Sequence, residues 1–187
     1  MSNTEALNRQ AAPVYAAVPH EHWIDRLDDG RHVLVRPLTA EDREREYNFI
    51  KGLSRESRHQ RFLGEVCEPG KTLLDQLMDV DNQERLAYIA LVHDNGQLVE
   101  IGVARYAAAK DQACECAVVV ADAWQHLGLA RVLMQHLMAA AKKNGYTRMY
   151  TVDAATNAHM RQLTHDLGFE SVTDPDDGTQ VISSVQL

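Results

Sequence analysis

The chain has 187 residues, 45% of them hydrophobic and 25% charged, with 27 acidic residues against 19 basic ones for a formal net charge of −8. This is the composition of an ordinary globular chain, most simply one domain large enough to bury a sizeable core. The acidic balance argues against a nucleic-acid groove or an anionic membrane surface as the main partner, and no apolar run approaches the roughly 20 residues of a membrane span. It is compatible with a cationic substrate, although an acidic surface is more often a solubility feature.

The three cysteines, Cys67, Cys114 and Cys116, lack the spacings of a disulfide framework and point to reduced thiols in a cytoplasmic protein. Cys114 and Cys116 fall on one face of a strand, where small core residues are the simpler account than a metal pair. His20-Glu21-His22 lacks the His-Glu-x-x-His spacing, so no metal site is expected.

Residues 1–20 carry no sustained apolar period and no charged, apolar signal pattern; they read as an N-terminal arm preceding a single domain over 21–187. Trp23 to Leu27 and His32 to Arg36, joined through Asp28-Asp29-Gly30, predict a hairpin. Thr39 begins a helix with acids in its first turn, and Tyr47, Ile50 and Leu53, with Phe49 nearby, form its inner face. Ser54 caps a second helix bearing Arg55, Arg58, His59 and Arg61, the one basic cluster. A solvated helix face is the favoured reading, contact with acidic groups of a ligand or partner the alternative. A third helix spans about Lys71 to Asp79.

Three antiparallel strands follow: Leu86 to Val92, Leu98 to Tyr106 and Cys114 to Ala121, the first two joined by Asp94-Asn95-Gly96. In the middle strand Val99, Ile101 and Val103 are expected on one face, with Gly102 leaving the other open. After Val118-Val119-Val120 come a short turn and Gln125-His126-Leu127-Gly128-Leu129-Ala130-Arg131, running into a helix with apolar residues at Leu129, Leu133, Leu137 and Ala140. Gly128 and Ala130 keep side chains small where the helix begins. Its first N–H groups have no helical partner and the dipole favours an anion, most obviously a diphosphate. Lys142 to Gly145 stops this helix. A strand over Tyr146 to Val152, a helix opened by Asn157, and two final strands complete the chain.

Gln125-x-x-Gly128-x-Ala130 after a valine strand resembles the first coenzyme motif of the GNAT superfamily of acyl-CoA-dependent N-acyltransferases. Asn157 followed by Leu167-Gly168-Phe169 is similar to the second. The likeness implies an α/β (α+β) fold with a mixed central sheet of about seven strands flanked by helices, acetyl-CoA as co-substrate and an amine acceptor. Arg36-Pro37-Leu38-Thr39, Leu53-Ser54, Arg61-Phe62 and Glu115-Cys116-Ala117-Val118 further resemble the acetyltransferase module of bacterial protein-lysine acetyltransferases. In those enzymes the module usually follows a large nucleotide-binding region, which is not expected within these 187 residues.

An amine must be neutral to attack a thioester, and for a lysine of pKa about 10.4 this costs roughly 4–5 kcal/mol at pH 7. A carboxylate beside the acceptor recovers part of that as general base. Glu115 is the candidate, a role the resemblance also implies; the plain alternative is an exposed residue on a half-buried strand. A free backbone N–H near Val118 is the expected donor to the carbonyl oxygen as it gains charge. The diphosphate falls to residues Gln125 to Arg131. His126 either adds charge there or is merely solvated, and Arg131 is either a phosphate contact or a plain exposed arginine. Asn157 caps its helix and meets the pantetheine arm. The family's usual tyrosine acid is replaced by Thr164, a far poorer acid, so that role does not transfer.

Overall fold

In a computed structural model the chain is described at residues 21–64 and 68–187. The expected arm over 1–20 and Cys67 lie outside the described residues. The elements run β1 (Trp23–Arg26), β2 (His32–Pro37), α1 (Arg43–Gly52), α2 (Arg55–Phe62), α3 (Lys71–Met78), β3 (Arg85–Asp94), β4 (Gln97–Ala108), β5 (Ala113–Val120), α4 (Leu129–Lys143), β6 (Arg148–Ala154), α5 (Ala158–Asp166), β7 (Glu170–Thr173) and β8 (Gln180–Gln186).

One mixed sheet of order β1-β2-β3-β4-β5-β6-β8-β7 joins all the strands, antiparallel except for the β5·β6 pair. Eight strands replace the expected seven or so, because the first arm of the opening hairpin is itself an edge strand on β2. Period-2 alternation divides the buried side chains between two cores. Leu86, Tyr88 and Ala90 of β3 and Cys114, Cys116 and Val120 of β5 pack with Leu133, Met134 and Leu137 of α4. Ala87, Ile89 and Leu91 face the other way, onto Phe49 and Ile50 of α1 and Leu77 of α3. Helices therefore cover both faces. Cys114 and Cys116 are free, buried core residues, and burial pushes the Cys114 thiol up to about 12.

Two inward faces differ from the expected ones. The register of β3 with β4 slips between Ala90 and Leu91, which leaves Ile101 as a bulged residue of β4 without a partner in the ladder. Ile101 thus joins the α4 core and Val103 the α1 core, while Val99 is exposed, so the three do not share a face. In α1 the inward residue is Glu46, not Tyr47, which is only half-buried. Its ion-pair partner is Arg105 of β4, at 2.5 Å.

Beside this pair lies Glu100, 3% exposed, whose carboxylate oxygens receive no hydrogen bond from another described donor. Burial, and then the charge of Glu46, pushes its pKa well above the usual carboxylate range. Protonating Glu100 relieves its repulsion with Glu46, since two close buried carboxyls hold one proton between them more readily than two charges. Because the folded state holds this proton more tightly, Glu100 subtracts stability as pH rises above about 4.3, the unfolded value. Glu100→Gln is expected to remove that loss. Urea midpoints of the two proteins should be close at pH 4 and separate in favour of the variant by pH 8; parallel curves would refute the shared proton.

Ahead of α1, Arg36 grips both oxygens of fully buried Asp42 at 2.7 Å, and Thr39 donates to the same carboxylate through its N–H and hydroxyl at 2.9 Å. Burial alone raises the Asp42 pKa, but these bonds more than offset it and the net shift is downward. The Arg36-Pro37-Leu38-Thr39 segment is thereby a structural clamp at the head of α1.

Candidate active site

The site opens where β5 and β6 part. Their parallel ladder covers only Ala113 to Glu115 against Arg148 to Tyr150; beyond it β5 stays with β4 while β6 stays with β8. Ala121 donates to Ile101 at 2.9 Å and Ala113 accepts from Ala109 at 2.8 Å, which fixes the odd-numbered residues of β5 as those bonding to β4. The backbone groups of Cys116, Val118 and Val120 consequently face the gap. The Val120 carbonyl accepts from the Gln125 side chain at 3.2 Å, leaving Val118 N–H directed at the opening. A strand that splays from its neighbour presents donors no side chain needs to supply.

At the far end of the gap stands the α4 N-terminus. Gly128 precedes Leu129 at φ +81°, and a Cβ there would lie 2.9 Å from an Asp28 carboxylate oxygen. His126 also has a positive φ, 60°. The β1–β2 turn docks on this loop, with Asp28 N–H donating to the Leu127 carbonyl at 3.1 Å and the Arg31 guanidinium 3.8 Å from the Trp124 ring centroid. Leu127 itself packs into the core and does not line the opening.

The groove between these ends encloses about 620 Å³ and is lined by Glu115, Val118, Val119, Val120, Gln125, His126, Gly128, Leu129, Ala130, Arg131 and Asn157. Sequence spacing thus brought these expected site residues into one groove, although not every side chain is free to act. The Gln125 amide is committed to the Val120 carbonyl and the Ser57 hydroxyl, both at 3.2 Å, so it braces the turn. Arg131 reaches Asp166 at 3.3 Å, an exposed pair of small energetic weight. Asn157 caps α5 by accepting Met160 N–H at 3.0 Å. Thr164 is fully buried, its hydroxyl donating to the Met160 and Arg161 carbonyls at 3.0 Å, which removes it as a proton donor to a ligand.

Asp122, expected as a simple turn former, does more. It accepts from Ser54 N–H and hydroxyl at 2.8 and 2.7 Å and from the Ser57 hydroxyl at 2.8 Å, pinning α2 to the loop ahead of α4. Its pKa is lowered: burial raises it, and the Ser54 and Ser57 bonds outweigh that.

Glu115 is exposed at the foot of the gap, and the Tyr150 hydroxyl donates to it at 3.4 Å. Two charged neighbours were not foreseen. Asp153, three residues past the end of the β5·β6 ladder at Tyr150, lines the groove with its pKa raised by burial despite a 2.8 Å bond from the Thr151 hydroxyl. Arg61 departs from the expected solvated face of α2 and turns into the groove. A second cavity of about 330 Å³, between α2, α3 and the β4–β5 pair, shares Arg61, Phe62, Glu115, Cys116 and Ala117 with the first and is otherwise lined largely by apolar side chains, among them Leu73, Leu77 and Val80. The two cavities meet at Glu115.

Comparison with known proteins identifies the family. The family model described as acetyltransferase (GNAT) matches residues 39–169. The chain belongs to the GNAT acetyltransferase family. It is 54% identical over 188 residues to an acetyltransferase of Pseudomonas aeruginosa, covering the whole of both chains. It is similar to the GNAT domain of PAT from S. lividans, with a TM-score of 0.81 and 25% identity over 89% of this chain and 97% of that one. A cAMP-binding acyltransferase from Mycobacterium smegmatis shares the fold at a TM-score of 0.61 and 23% identity, this chain spanning 47% of it. Among the described residues no helix is long and apolar enough to cross a membrane, and no group of three or more His, Cys, Asp or Glu side chains is disposed to hold a metal.

Proposed function

We propose that this GNAT protein is an acetyl-CoA-dependent N-acetyltransferase that works by direct transfer in the cytoplasm, with a protein lysine as acceptor. The observation that carries this is the meeting of two cavities at one exposed carboxylate, Glu115: a coenzyme groove on one side and a largely apolar pocket on the other.

The residues fit the coenzyme. Acetyl-CoA supplies an activated acetyl group and a diphosphate, and members of this family use it as co-substrate. The helix start at Gly128 to Arg131 offers free N–H groups and a favourable dipole for the diphosphate, with no Cβ at Gly128 to obstruct approach. Val118 N–H is placed to donate to the acyl carbonyl oxygen, a kind of contact typically worth about 3 kcal/mol. His126 and His159, whose rings meet edge to face at 4.7 Å, line the same end of the groove. Asn157 holds the start of α5 against the wall expected to meet the pantetheine arm.

The acceptor chemistry follows from the second cavity. Its volume and apolar walls suit the four-methylene stem of a lysine, with the amine delivered to Glu115. Glu115 then takes the proton that the amine must lose. The 25% identity to S. lividans PAT across nearly the whole of that domain supports a protein acceptor. Thr164, committed to backbone carbonyls, leaves the departing thiolate to take its proton from water, as the modest pKa of a thiol permits. The same observation favours a second reading, a coenzyme A-binding regulatory module with weak catalysis.

Incubation with acetyl-CoA and a panel of proteins and small amines, read by mass spectrometry, tests these readings. Acetylated protein lysine is the expected result. Acetylation confined to small amines would move the acceptor to a polyamine, amino acid or antibiotic. Tight coenzyme A binding with no acceptor modified would overturn the transferase reading in favour of the regulatory module.

A further inference from the structure

Arg61 is the one charged residue of α2 that enters both cavities, and the proposed reaction gives it no task. Arginine carries five N–H donors in a planar fork, and inside a folded protein these are normally engaged by carboxylate or carbonyl oxygens. Arg61 has no hydrogen bond and no ion pair with any described residue; its recorded contact is with the Phe62 ring, 5.1 Å from the guanidinium carbon. The contrast with its neighbours is direct. Arg36 and Arg105 are paired with Asp42 and Glu46, and Arg58 is spent on the Lys51 and Leu53 carbonyls.

The helix that presents it is fixed rather than loose. Ser54 and Ser57 at the start of α2 are held by Asp122, and Gln125 adds a further bond to Ser57. The charge persists at neutral pH even though burial, then repulsion from Arg105, lowers the guanidinium pKa to about 10; Glu46, Asp153 and Glu115 oppose that shift. Glu115 and Asp153 thus lie within electrostatic reach of Arg61 without bonding to it. Holding an unpaired guanidinium beside two carboxylates keeps its hydrogen-bonding fork available for an oxygen anion from outside the chain.

The position decides which ligand supplies that anion. Arg61 shares its wall with Glu115 at the start of β5, whereas the diphosphate cradle lies past Val120. Five residues of strand at about 3.3 Å each separate those points by roughly 16 Å. The coenzyme phosphates are therefore at the wrong end, and the acceptor is at the right one.

We propose that Arg61 is a docking point for a carboxylate carried by the acceptor close to the amine that is acetylated. This rests on the transferase reading above and narrows its substrate class to carboxylate-bearing amines. The carboxylate belongs either to an acidic residue beside the target lysine or to a free amino acid. Arg61 is then a specificity residue: a bidentate guanidinium–carboxylate pair rewards acceptors that bring the anion, and an acceptor lacking it leaves the cation unpaired.

The test uses two matched acceptor pairs with the full-length protein. One pair is peptides holding Asp-Lys or Asn-Lys at the target; the other is L-lysine and 1,5-diaminopentane, which differ by a single carboxylate. Each is measured for acetylation and, by calorimetry on the coenzyme A-loaded protein, for binding. The expected result is at least a tenfold preference for the carboxylate-bearing member of one pair, and that pair names the source. Arg61→Gln should abolish the preference while leaving the KM for acetyl-CoA unchanged, and Arg61→Lys should retain part of it. Equal binding of both members by the native protein, or a preference that survives Arg61→Gln, would overturn the proposal. So would a loss in Arg61→Gln confined to kcat for all acceptors, or a rise in its acetyl-CoA KM. Binding preference without acetylation would instead sink the transferase reading and leave the anion site standing.

Discussion

Glu115→Gln is expected to lower turnover at pH 7 by about 10²-fold, the lower end of what a positioned general base contributes, or about 2.7 kcal/mol of barrier. Glu115 is exposed and its one side-chain bond, from Tyr150, is long at 3.4 Å, so the substitution should leave folding and acetyl-CoA binding intact. The defect should shrink as pH approaches about 10, because the acceptor amine then loses its proton to solvent without help. Steady-state kinetics from pH 6 to 10 check both the size and the slope. Unchanged turnover at neutral pH would remove Glu115 from the mechanism and direct attention to Asp153, the other carboxylate in the groove near Arg61. Burial raises the pKa of Asp153, which makes it a stronger base than a free aspartate, though one that is costlier to ionise. Asp153→Asn is therefore the informative companion variant.

Gly128→Ala should raise the KM for acetyl-CoA at least tenfold. The backbone there sits at φ +81°, a conformation that costs a residue with a Cβ about 1–2 kcal/mol. The added methyl would also approach the Asp28 carboxylate to 2.9 Å, so either Asp28 swings toward the diphosphate position or the loop shifts. Both responses disturb the N–H groups at the head of α4. For a chain of this size the strain corresponds to a fall of about 2–8 °C in Tm. Thermal unfolding with and without coenzyme A separates the two effects: the variant should lose most of the ligand-induced rise as well as intrinsic stability. A normal acetyl-CoA KM would show that this turn does not carry the diphosphate.

The Gly102 methylene behaves differently, although it too sits close-packed. A Cβ there would stand 3.2 Å from Leu133 and 3.3 Å from the Val119 carbonyl, so its smallness lets α4 lie tight on β4 beneath the groove. One glycine shapes the loop; the other sets the depth of the helix behind it. The need for a small residue was legible at both positions, whereas the Asp28 and Leu133 contacts that enforce it come from the tertiary structure.

What the sequence determined by itself is local. The order of strands and helices, the Ser54 and Asn157 caps, the Asn95-Gly96 turn and the helix start after Gly128 depend on residues within a few positions of one another, and short-range sterics and hydrogen bonding suffice to specify them. Much of the groove proposed for the coenzyme follows from the same local signals. The part of its wall foreseen from sequence is one strand and the loop and helix that follow it, with Asn157 a single element further on; α2 and β6 supply the rest. Tertiary structure alone decided the rest. The bulge at Ile101 puts Ile101 and Val103 into different cores, and it comes from pairing with β3. Glu46 turns inward because Arg105, 59 residues away, is there to meet it. Asp28 reaches the head of α4 only because the β1–β2 turn folds over it. Arg61 leaves its expected solvated face because α2, anchored through Asp122, lies across β5. Periodicity along α2 distinguishes apolar from charged faces, but a cation facing solvent and one facing a pocket have the same signature in one dimension. Only the position of Glu115 across from it tells them apart.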